Sequence, residues 1–101
     1  MGIYSDECWI VYKYVDRYDP LQPEDDMCWE FIDNIDIEAI CYSEDYAKHI
    51  VKQTNKDNPK YPLRFVKSSQ GYANELIKYY NDSFKDCRTI NDFEEVIRWK
   101  R

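Results

Sequence analysis

The chain has only two glycines in 101 residues, Gly2 and Gly71. Both common phosphate-cradling loops need glycines a few positions apart, so neither can be built here. A single histidine, His49, excludes any site that requires two imidazoles. No apolar run approaches the roughly 20 residues of a membrane-spanning helix. The opening residues Met1–Glu7 lack the basic-then-apolar layout of a secretory signal, so a cytoplasmic location is expected, the host cytoplasm if the chain is phage-encoded. The four cysteines, Cys8, Cys28, Cys41 and Cys87, include no C-x-x-C pair and no zinc-finger spacing. Without a secretion signal, reduced thiols are expected, with Cys8 and Cys41 as small buried apolar groups. The run Glu24-Asp25-Asp26 lacks the alternating ligands and central glycine of a calcium loop. With no motif to single out a pair of acids or bases, no catalytic residue, metal or cofactor is expected.

What is abundant is negative charge, and it is unevenly placed. Twenty acids and 14 bases give a net charge of −6. Residues 1–45 hold 13 of the acids and only 2 bases, Lys13 and Arg17; residues 46–101 hold 7 acids and 12 bases. Asymmetry of this kind bears on partners more than on fold. It peaks between Asp16 and Asp36, where Asp16, Asp19, Glu24, Asp25, Asp26, Glu30, Asp33 and Asp36 face Arg17 alone. Carboxylates repel phosphates, so this half does not bind nucleic acid directly. The bases of the second half are dispersed. Lys48, Lys52 and Lys56 form an i, i+4 row expected on the solvent side of a helix, with His49 at its boundary.

Periodicity places the elements. Cys8–Val15 is rich in β-branched and aromatic residues and apolar on both alternating faces, which suits a central strand or an edge strand with a covered second face. Residues 16–23 form a proline-punctuated loop, Pro20 and Pro23. From Pro23 a helical stripe, Met27, Cys28, Phe31, Ile32 and Ile35, is preferred over a strand alternating Met27, Trp29 and Phe31. Ile35–Cys41 alternates as a half-buried strand with Ile35, Ile37, Ala39 and Cys41 on one face. Ser43 caps a helix with Ala47, Ile50, Val51 and Thr54 inward, stopped by Asn55 and Asp57-Asn58-Pro59. Tyr61–Lys67 is a short strand. Ser68 or Ser69 then caps a helix with the stripe Tyr72, Ala73, Leu76, Ile77, Tyr80 and Phe84, and Thr89 or Asn91 caps the last, with Phe93, Val96 and Ile97 inward. The expectation is one α+β domain over 1–101: a small, mainly antiparallel sheet of about three strands with helices on one face, interrupted by an acidic excursion at 16–34. An excursion of that length is uncommon unless it has its own structure or a task.

Ten tyrosines among 17% aromatic residues suit cores and interfaces alike. Tyr18 and Trp29 lie within the excursion and are candidate anchors beside its carboxylates. The expected partner surface is therefore Asp16, Tyr18, Asp19, Glu24, Asp25, Asp26, Trp29, Glu30 and Asp33, meeting a basic protein such as a nucleic-acid-binding effector. Carboxylates on a folded surface can stand in for a phosphate array in a Lys/Arg groove. In size, acidity, tyrosine content and lack of catalytic motifs the chain resembles phage-encoded inhibitors such as the anti-CRISPR proteins. The resemblance is one of composition, and no residue role is transferred from it. It implies a non-catalytic inhibitor acting as a nucleic-acid mimic. An immunity protein that neutralises a basic toxin has the same profile. A protein that sequesters a signalling nucleotide is a further alternative, with a homodimer forming pockets lined by tyrosines and Arg64, Lys67 or Arg88.

Overall fold

A computed structural model of the chain describes residues 6–16, 31–57 and 60–98. Three strands, β1 (Glu7–Tyr14), β2 (Ile35–Cys41) and β3 (Leu63–Ser69), form an antiparallel sheet in the order β2-β1-β3. The helices are α1 (Glu44–Asp57), α2 (Gln70–Lys78), the single turn α3 (Tyr80–Ser83) and α4 (Ile90–Ile97), with a 3-10 turn at Phe31–Asn34. This is the expected α+β fold, with the most apolar strand in the middle.

Because β1 is apolar on both faces, both must be covered. Cys8, Ile10 and Tyr12 point to one side and pack with Val66, Ala73, Leu76, Phe84, Phe93 and Ile97. Trp9 and Val11 point to the other, with Cys41, Leu63 and Ala47 of α1. Helices therefore lie on both faces of the sheet. The expectation of one face holds for α2, α3 and α4 but not for α1, whose burial is demanded by the second apolar face of β1.

β2 departs from simple alternation. Val11 pairs with Ala39 and Tyr12 with Ile37, leaving Glu38 as an extra residue in a β-bulge. The bulge resets the pleat, so Ile35, Ile37 and Ile40 join the core under α2–α4 while Ala39 and Cys41 join the core under α1. The four residues expected on one face are thus divided between two. Glu38 turns outward and pairs with Lys13 at 3.2 Å.

Local signals account for the helix ends. The Ser43 hydroxyl accepts from the Tyr46 amide at 3.3 Å, and the Thr89 hydroxyl from the Asp92 amide at 3.1 Å. Asn55 does not stop α1, which continues to Asp57. Its side-chain amide instead brackets Leu63, donating to the carbonyl at 3.1 Å and accepting from the amide at 2.6 Å. Ser69 occupies the N-cap of α2 without a side-chain capping bond. The long stripe expected from Tyr72 to Phe84 is broken at Tyr79, and Ile77 is exposed. Within the preferred helix at 23–33, residues 23–30 lie outside the described residues, and residues 31–33 form a 3-10 turn that leads directly into β2.

Candidate functional site

β1 and β2 are antiparallel neighbours that end and begin at the same end of the sheet, where Tyr14 pairs with Ile35. The excursion therefore leaves and re-enters the fold at adjacent points, and both roots are fixed. The Val15 amide donates to the Asn34 carbonyl at 2.7 Å. The rings of Tyr14 and Phe31 stack at 5.4 Å between centroids. Ile32 is buried, and its carbonyl accepts the Tyr80 hydroxyl at 3.1 Å. The Tyr61 hydroxyl reaches the Asp16 carbonyl at 3.4 Å. Aromatic residues on β1, α3 and the β3 approach thus hold the two ends.

Of the expected partner-binding residues, Asp16 and Asp33 stand at these roots and are exposed. Tyr18, Asp19, Glu24, Asp25, Asp26, Trp29 and Glu30 lie outside the described residues. Residues 16–34 contain seven acids and one base, a net of −6. That equals the net charge of the whole chain, so the remaining residues balance 13 acids with 13 bases. Three early acids outside the segment do turn to the protein's own lysines: Glu7 to Lys67 at 2.8 Å, Glu38 to Lys13 at 3.2 Å and Glu44 to Lys48 at 3.2 Å.

The structure separates the bases considered for a nucleotide pocket. Arg64 and Lys67 occupy opposite faces of β3. Arg64 bonds Glu94, Lys67 pairs with Glu7, and Arg88 donates to the carbonyls of Lys85 and Cys87. A shallow depression of about 390 Å³ is lined by Lys78, Tyr79, Tyr80, Asn81 and Asp82, and none of those three bases contributes to it. Among the described residues no three His, Cys, Asp or Glu side chains come together as a metal site, and no helix is long and apolar enough to cross a membrane. Cys8, Cys41 and Cys87 are free and buried, and burial pushes each thiol up from its ordinary pKa. Cys8 and Cys41 belong to opposite faces of the sheet, which forbids their pairing. Cys28 lies outside the described residues.

Two features escaped the sequence reading. Among the described residues the exposed aromatic ones are Tyr42, Tyr46 and Tyr79, at 65%, 59% and 55% exposure. The second is a buried polar cluster. The Tyr12 hydroxyl donates to Glu94 Oε1 at 2.6 Å, and Arg64 Nε to the same oxygen at 3.1 Å. Burial first, then the hydrogen bond and charge of Glu94, raises the Tyr12 phenol above its ordinary value of 10.0. The signal for this cluster was a tyrosine at an inward position of the central strand, since a buried phenol needs a partner for its hydroxyl. Comparison with protein families, curated proteins and solved structures finds no match to the chain.

Proposed function

We propose that the protein is a non-catalytic inhibitor that binds a basic, nucleic-acid-handling protein through the acidic segment at 16–34, as an anti-defence protein of the anti-CRISPR kind acting in the host cytoplasm. One observation carries this reading: the whole net charge of the chain resides in one segment whose two roots are fixed side by side. Fixing the roots lowers the entropy lost when such a segment docks, and concentrated charge steers the encounter. Asp25, Asp26 and Glu30 supply the charge that meets Lys and Arg of the partner, with Tyr18 and Trp29 as apolar anchors.

The reading is tested by co-purification of wild-type protein and the triple variant Asp25→Lys, Asp26→Lys, Glu30→Lys. A basic protein retained at low salt, released as salt rises and not retained by the variant supports it. Equal retention by wild type and variant at matched thermal stability removes the segment as the contact.

A further inference from the structure

An open sheet has two edges, here β2 and β3, each with backbone groups turned away from β1. The edge of β2 is bent by the bulge at Glu38 and carries Asp36 and Glu38. That of β3 has no bulge, and its register with β1 runs unbroken from Leu63 to Ser69. The Gln70 amide donates to the Asp6 carbonyl at 2.7 Å. By alternation Arg64, Val66 and Ser68 bond towards β1, and the amides and carbonyls of Leu63, Phe65 and Lys67 point outward. At Leu63 the outward rung is already made. The Asn55 side chain donates to its carbonyl at 3.1 Å and accepts from its amide at 2.6 Å, as a neighbouring strand would. The outward amides and carbonyls of Phe65 and Lys67 have no hydrogen-bond partner among the described residues.

Charged side chains commonly guard such an edge, but both of those on β3 are drawn back from it. Lys67 Nζ pairs with Glu7 of β1 at 2.8 Å. Arg64 Nε bonds Glu94 at 3.1 Å, on the oxygen that also accepts from Tyr12 of β1. An open strand edge takes up another strand, and a second copy of β3 fits both the rungs and the charges. About a two-fold axis at Val66, Phe65 of each copy exchanges both hydrogen bonds with Lys67 of the other. Val66 then lies opposite Val66 and Arg64 opposite Ser68, so no like charges face each other. Centring the axis on Lys67 would set lysine against lysine. Centring it on Phe65 would need the Leu63 rung that Asn55 has closed. We propose that the protein forms a two-fold homodimer by antiparallel pairing of β3 with β3, joining two three-stranded sheets into one of six strands. The acidic segment leaves each copy at the Leu63 end of the sheet, so the dimer carries one at either end. This goes beyond the acidic-segment reading and does not rest on it.

The test is sedimentation equilibrium of the full chain over a concentration series, with hydrogen exchange followed amide by amide. The expected result is a reversible monomer–dimer equilibrium. Exchange at Phe65 and Lys67 should slow about tenfold where roughly nine-tenths of the chains are dimeric, with the β2 amides unchanged. Lys67→Pro removes an outward donor that the single chain does not use, and should weaken dimerisation about tenfold or more. Lys67→Ala keeps the amide and should dimerise within about threefold of wild type. Amide dispersion reports whether each variant is folded, and the exchange of wild type decides the matter even if Lys67→Pro does not fold. A monomer up to about 1 mM overturns the proposal. So does a dimer in which Phe65 and Lys67 exchange as fast as in the monomer, or undiminished dimerisation of folded Lys67→Pro. Because no basic partner enters these measurements, failure here leaves the basic-partner test untouched, and failure there leaves the dimer untouched.

Discussion

Tyr12 shows how one side chain couples core, polar network and surface. Its ring packs on Phe93 at 4.8 Å between centroids, and its hydroxyl is the shortest donor to Glu94. Tyr12→Phe keeps the ring but leaves Glu94 with one donor fewer in a buried place. The expected cost is about 1–3 kcal/mol, measured by urea unfolding at neutral pH. The same residue sets an alkaline limit. A phenol whose folded-state pKa lies above its unfolded value of 10.0 stabilises the fold fully below that pH. The contribution is lost as pH rises from the unfolded value towards the folded one. The buried thiols Cys8, Cys41 and Cys87, raised from 9.0, act in the same direction from a lower starting point. The urea midpoint should therefore fall above about pH 9–10, the range of the unperturbed thiol and phenol values. The fall above pH 10 should be shallower in Tyr12→Phe, and identical slopes in the two proteins would remove Tyr12 from this account.

At the scale of elements, the strands and the capped helices were legible because each rests on a local rule. β2 was found at its full length from alternation alone, and Thr89 caps α4 as its position suggested. Thr89→Ala should lower stability by about 1 kcal/mol in the same unfolding assay. The bulge was not legible, because Ile35, Ile37, Ala39 and Cys41 satisfy a period of two without it. Only pairing to a partner strand that is apolar on both faces makes a division between two cores favourable. Glu38→Ala removes a surface pair with Lys13 and should cost no more than about 1 kcal/mol. Deleting Glu38 removes only the unpaired residue and keeps Val11 against Ala39 and Tyr12 against Ile37, so the ladder becomes regular with Ala39 and Cys41 on their present face, and cooperative unfolding as followed by circular dichroism should be retained. Loss of cooperative unfolding in the deletion variant would contradict the assignment of Glu38 as the extra residue of the bulge. The position of α1 has the same origin: its own stripe gives an inward side, but which sheet face receives it depends on β1.

For the whole molecule, the central claim concerns charge in one place. The sequence made the acidic concentration visible, and the fold adds that its ends are fixed at one end of the sheet by Tyr14–Phe31 stacking and by Tyr80. Sequence reasoning could not locate the Tyr12–Glu94–Arg64 cluster, since its members are 82 and 30 residues apart and no spacing rule joins them. On the proposal that these side chains form the contact surface, replacing Asp25, Asp26 and Glu30 by lysine should leave the thermal midpoint nearly unchanged. The most direct measurement is the association rate with the co-purified basic partner as a function of ionic strength, for wild type and this triple variant. The wild-type rate should fall steeply with added salt, and the variant should associate at least about tenfold more slowly at low salt, with a flatter dependence. Equal rates and equal salt dependence for the two proteins would contradict the claim that the acidic segment makes the contact.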